Sequence, residues 1–160
     1  MRYASEQKVV SPPQPKQALQ LEDLEVYRVA REFRKVMYAV ARKLPEIEKY
    51  GLASQVRRAS VSLTNNIAEG HGRYHYLDNI RFVLTSRGSL IELLDDLNVC
   101  EDEAYLPAAE LVQLKGLAQR VKQLINGYIR YLREQKAGEN LKLRETPADY
   151  LTDKDFPNDT

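Results

Sequence analysis

His71, His75 and Asp78 are spaced four and three residues apart, which would align three metal ligands along one face of an unbroken helix. Gly70 and Gly72 bracket His71 and interrupt such a helix, and with only two histidines and no cysteine nearby the pattern falls short of a metal site. The segment leading into it, Gln55 to Arg73, reads QVRRASVSLTNNIAEGHGR. Its RRAS resembles the substrate of a basophilic kinase, but a serine inside a helix and turned toward neighbours is a poor substrate. Serine, histidine and aspartate occur elsewhere without a nucleophile elbow or a phosphate-cradling glycine loop. The expectation is no catalytic residue, no metal, no cofactor and no enzymatic activity.

What remains with chemical potential is positive charge. Lys115, Lys122, Arg130, Arg133 and Lys136 fall within an arc of roughly 120° on a helix, beside its apolar seam. From Leu111 to Lys136 there are six basic residues and one acid, whereas Glu92 to Glu110 holds seven acids and no lysine or arginine. A positive side and a negative end are expected. Such a stripe attracts phosphates through counterion release, with salt-sensitive affinity, or pairs with acids of an adjacent subunit; spacing alone leaves both open. A second stripe, Arg28, Arg31, Lys35 and Arg42, lies opposite another seam. Glu25 and Glu32 stand close enough to neutralise part of it, so it reads first as a solvated face.

Helices must carry these charges, because four segments show helical periodicity and almost none alternates as a strand does. The first runs from about Asp23, a candidate cap, to Leu44, with Pro45 beyond its end and Val26, Ala30, Phe33, Met37, Val40 and Leu44 as one seam. The second runs from after Gly51 to near Gly70, with Leu52, Val56, Ala59, Leu63 and Ile67 inward. The third, from about Tyr76 to Cys100, has apolar residues around so much of its circumference that it needs neighbours on more than one side. The fourth starts near Pro107 and repeats Leu111, Leu114, Ala118, Val121, Ile125, Tyr128 and Leu132. Short connections make this an all-α, antiparallel up-and-down four-helix bundle.

A chain of 160 residues with 43% hydrophobic and 29% charged content supports one domain with one core. Its formal charge of +1 conceals an uneven distribution. Met1 to Gln20 carries three basic residues and one acid, and Ala137 to Thr160 carries three and six. Both ends contain prolines and few core-forming groups, so residues 1–20 and 137–160 are expected to be mobile tails around a bundle at 21–136. The stretch LKLRETPADYL keeps apolar residues able to dock on a partner or a neighbouring subunit. Cys100 is the only cysteine, so no intrachain disulfide forms. No apolar run suggests a membrane span or a signal peptide, and the expected location is cytoplasmic.

On the second helix, Ala53, Ser60 and Ser62 are small enough to let another helix approach. SRGSL on the third helix is the expected counterpart, since close packing would offset the roughly 1 kcal/mol that Gly88 costs relative to alanine. Arg87 beside it needs a carboxylate if buried, and Glu69 is the candidate, which makes Arg87, Glu69 and Gly88 a structural latch. Asn65 and Asn66 can supply hydrogen bonds to helix ends.

Four stretches, LEDLEVYRVARE, KYGLASQVRRASVSLTNNIAEGHGR, IRFVLTSRGSLIEL and LINGYIRYL, together resemble the 23S rRNA intervening-sequence protein family, in the expected order from about Leu21 to Glu134. The resemblance implies an up-and-down four-helix bundle that assembles as a homopentameric ring, with no established enzymatic activity. A bundle of similar architecture, the accessory variability protein of diversity-generating retroelements, works with a reverse transcriptase and its template RNA. The family name reflects genes found inside ribosomal RNA insertions and says little about ribosomal function. Two positions depart from the family pattern. Thr64 stands where proline is common, which puts a proline-imposed bend in question, and His71 stands where an aromatic residue is common.

The combined expectation is a ring-forming adaptor that binds RNA or DNA through basic helix faces beside a reverse transcriptase. Arg28, Arg31, Lys35, Lys115, Lys122, Arg130 and Arg133 are the expected phosphate contacts, holding backbone with little sequence preference. The alternative is a protein-only scaffold in which those charges serve subunit contacts.

Overall fold

A computed structural model of the chain describes residues 19–143 apart from Tyr74, with side chains described through Ala137. Most of each expected tail, residues 1–18 and 144–160, lies outside the described residues. Within them the chain forms four α-helices, α1 (Glu25–Lys43), α2 (Leu52–His71), α3 (Tyr76–Asp102) and α4 (Ala108–Leu143), with short 3-10 turns at Leu21–Asp23 and Glu46–Glu48. No strand occurs among the described residues, and none of these helices is long and apolar enough to cross a membrane. Each helix packs on the next, and α4 closes the bundle against α1.

The seams close as their spacing requires. Val26, Ala30, Phe33, Met37, Val40 and Leu44 of the first helical segment meet Leu52, Val56, Ala59, Leu63 and Ile67 of α2, all buried in one cluster. From α3, Val83, Leu90, Leu93 and Leu97 join them, and from α4, Leu111, Leu114, Ala118, Val121, Ile125, Ile129 and Leu132. Burying each large apolar side chain contributes about 2 kcal/mol. Ile129 takes the core place expected of Tyr128. The tyrosine is half-buried, accepts a hydrogen bond from Asn79 Nδ2 at 3.2 Å, and stacks on Tyr131 with ring centroids 6.3 Å apart.

Three boundaries differ from expectation for local reasons. Asp23 serves the 3-10 turn, its Oδ2 accepting the Gln20 N–H at 2.9 Å, while α1 starts two residues later without a side-chain cap. Leu44 is extended, as the residue before a proline must be, so α1 ends at Lys43. Helix α4 continues to Leu143, making residues 137–143 of the expected tail helical.

Helices α2 and α3 approach closely at Gly70, where an added Cβ would stand 2.6 Å from Asn79 Oδ1 and 3.0 Å from the Asn79 carbonyl oxygen. Farther along, Ser86 Oγ donates to the Leu63 carbonyl at 2.6 Å and Ser89 Oγ to Ser62 Oγ at 2.8 Å. The expected counterpart, SRGSL, thus meets the small residues of α2 through its two serines, while Gly88 takes no part: it is exposed with nothing within 4 Å of its Cβ position.

Candidate nucleic-acid interface

Helical periodicity decides where the charges go. On α1 the buried seam leaves Arg28, Arg31, Lys35 and Arg42 on the outward side, and all four are exposed. Where α1 meets α4 an open groove is lined by Tyr27, Arg28, Val29 and Arg31 of α1 and by Leu117 and Arg120 of α4, with Glu22 and Glu32 at its edges. Among the described residues neither Arg28 nor Arg31 has a carboxylate within ion-pair distance. Glu32 pairs with Lys35 at 2.6 Å, and that hydrogen bond, with lesser attraction from Arg31, holds the Glu32 carboxyl below its ordinary value. Glu25 faces Arg120 at 3.8 Å. The two acids expected to quench the α1 stripe therefore act on Lys35 and on α4, and leave the two arginines between them open.

The cations of α4 divide. Lys115, Lys122 and Arg133 lie within about 20° of one another on the helical wheel, along the edge that turns toward α3. Lys115 pairs there with Glu101, and Lys122 and Arg133 are half-buried and hold interactions of their own. Arg130 is exposed. The sequence reading grouped these residues as one stripe; packing gives most of them to the α3 edge. Arg120, which that reading passed over, faces the α1 side. Spacing alone gave no signal for it, because the register of α4 on α1 appears only in contacts such as Lys43 with Glu110 at 2.6 Å and Arg120 with Glu25 at 3.8 Å.

The expected latch is not assembled as a unit. With Leu63 beside Ser86 and Gly70 beside Asn79, Glu69 lies about two turns from Arg87. Glu69 pairs with Arg73, just beyond the end of its own helix, while Arg87 is half-buried, is engaged elsewhere, and has an Nε with no hydrogen-bond partner. The Arg73 guanidinium also lies over the Phe82 ring at 4.8 Å, tying the end of α2 to the start of α3. Asn66 Nδ2 donates to Ser62 O at 2.8 Å inside α2 and caps no helix end.

Thr64 and His71, the two positions expected to depart from the family pattern, both have partners. Thr64 Oγ1 accepts a hydrogen bond from Arg34 Nη1 at 2.7 Å, and α2 runs through this position unbroken. His71 Nε2 meets the Leu19 carbonyl at 3.1 Å. Helix α2 ends at His71 and α3 begins after His75, so no single helix carries His71, His75 and Asp78. No group of three or more ligating side chains gathers among the described residues.

The family profile described as 23S rRNA-intervening sequence protein matches residues 22–127. This chain belongs to that family. The match begins just before α1 and ends at Gly127, so it contains all of the groove and leaves Arg130 and Arg133 beyond it. No curated protein matches the chain.

The opposite end of the bundle is acidic, as the run from Glu92 to Glu110 requires. Asp96 is only 4% exposed, its Oδ2 has no hydrogen-bond partner, and burial, with the charges of Glu92 and Asp95, pushes its carboxyl up to about 6. Burial and the nearby Asp96 and Glu48 likewise push the Cys100 thiol up to about 11. Glu48 Oε1 accepts the Tyr105 hydroxyl at 3.0 Å and Oε2 accepts the Leu52 N–H at 3.0 Å, joining the start of α2 to the turn after α3.

Proposed function

We propose that this protein is a non-enzymatic adaptor that binds the nucleic-acid backbone through the α1–α4 groove, assembles as a homopentameric ring, and serves a retroelement reverse transcriptase. The carrying observation is the pair Arg28 and Arg31, exposed and free of carboxylate partners among the described residues, beside Arg120 and Tyr27. A guanidinium grips phosphate oxygens bidentately, and an unpaired one needs no ion pair broken first. Lys35 and Arg130 extend the positive field, and Lys115, Lys122 and Arg133 add to it from the far edge of α4.

Ring assembly has support of its own. Gly88 sits inside α3 with nothing within 4 Å of its Cβ position and costs about 1 kcal/mol relative to alanine. Ile91, on the same helix as Gly88, is 45% exposed. A second chain packed on this surface offsets that cost. Fivefold repetition then turns a weak cluster of cations into a continuous positive surface. The reverse-transcriptase role is carried over from the expected likeness in architecture to the accessory variability protein and has no residue of this chain behind it.

The test is a salt titration of RNA and DNA binding by the purified chain, with its mass in solution measured alongside. Affinity should fall steeply with salt, about as the 0.7 power for each phosphate contacted on a single strand. A second reading, a protein-only scaffold, is favoured by the number of cations already paired, among them Lys43 with Glu110 and Lys115 with Glu101. Absence of binding at low salt would establish it.

A further inference from the structure

The α1–α4 groove has a chemical complement in this chain. Residues 144–160, RETPADYLTDKDFPNDT, contain five acids and two bases, with Tyr150, Leu151 and Phe156 among them. The groove offers the reverse composition: Arg28, Arg31 and Arg120 around the apolar surfaces of Tyr27, Val29 and Leu117. The N-terminal residues are a poor match, since Met1 to Gln20 is itself net positive.

We infer that the acidic C-terminal segment folds back onto the α1–α4 groove of its own chain and competes there with nucleic acid. Reach permits it. Arg120 lies 23 residues before the end of α4 at Leu143, about 35 Å along the helix. The thirteen residues from Arg144 to Phe156 span up to about 43 Å when extended, enough to bring Asp155 and Phe156 to the groove. Tethering supplies an effective concentration in the millimolar range, so a contact that is weak between separate molecules is populated within one. The competitive part of this inference rests on the proposed nucleic-acid reading; the docking itself does not.

The experiment uses the full-length chain with Thr152→Cys carrying benzophenone maleimide; Cys100 is buried with a raised thiol pKa and escapes labelling. Photocrosslinks should map to residues 22–32 and 117–120, and should disappear in 0.5 M salt and in Arg28→Glu/Arg31→Glu. Crosslinks spread over other faces, or joining two chains in an isotopically mixed sample, overturn the intrachain contact. In parallel, neutralising Glu145, Asp149, Asp153, Asp155 and Asp159 to their amides should tighten binding of a single-stranded RNA about fivefold at low salt. Equal RNA affinity with no groove crosslinks sinks the docking and leaves the adaptor reading standing. Groove crosslinks with no RNA binding by either chain sink the adaptor reading and its competition, and leave the docking.

Discussion

The α1–α4 groove and the end where α3 turns into α4 handle charge in opposite ways. In the groove Arg28 and Arg31 are solvated and unpaired among the described residues, so their charge is available to a ligand and costs the fold little. At the other end Asp96 is sealed into the core with an orphaned oxygen, so its charge is available to nothing and opposes folding. A count of residues treats these charges alike; burial separates a binding group from a liability.

The largest effect expected from breaking this contrast is at the groove. Arg28→Glu/Arg31→Glu should weaken RNA binding about 30-fold at low salt and lower the salt slope by about two contacts, with the melting temperature unchanged. Filter binding and a thermal melt check both halves, and a fold that melts early would mean that these arginines hold the bundle together.

Next is Asp96. Its folded pKa is raised, so the stability it permits is complete below its ordinary value of 3.8 and is lost as pH rises through about 6. The full difference is about 2–3 kcal/mol. Asp96→Asn should therefore be about 1–2 kcal/mol more stable than the parent at pH 8 and no more stable at pH 3.5, with RNA affinity unaffected. Urea titrations at the two pH values decide it, and parallel pH profiles would show that the carboxyl is hydrated or paired in solution.

A smaller effect tests the division of α4. Lys115→Ala loses an exposed pair with Glu101, which should cost at most about 0.5 kcal/mol and reduce RNA affinity no more than about twofold. A loss as large as that of the groove variant would restore the single stripe read from the wheel. Smallest of all is Cys100: with its thiol pushed up to about 11, the folded protein should react with a thiol reagent only as fast as it opens.

The four helices were legible because seams such as Val26 to Leu44 repeat at the helical period over five turns, and burial follows period. Helix neighbours were half legible. The small residues of α2 announced a close approach to SRGSL, and Ser86 and Ser89 of that stretch make it, but spacing carries no register, so the tight contact at Gly70 went unseen and Gly88 received a packing role that the bundle does not give it. The same missing register paired Arg87 with Glu69, two turns apart, and left Arg120 out of the groove. Charges on one wheel were grouped correctly in angle, while the angle could not say which edge faced α3. Asp96 was hidden among six other acids, where composition suggested only a negative surface.

The hydrogen bond from Arg34 to Thr64 has a consequence for orientation. A smooth apolar seam tolerates some rotation of α1 about its long axis, and a few degrees would swing every outward side chain together. Clamping one guanidinium to a hydroxyl on α2 keys the cylinder like a pin in a shaft. Thr64 thereby sets the azimuth at which the remaining arginines meet solvent.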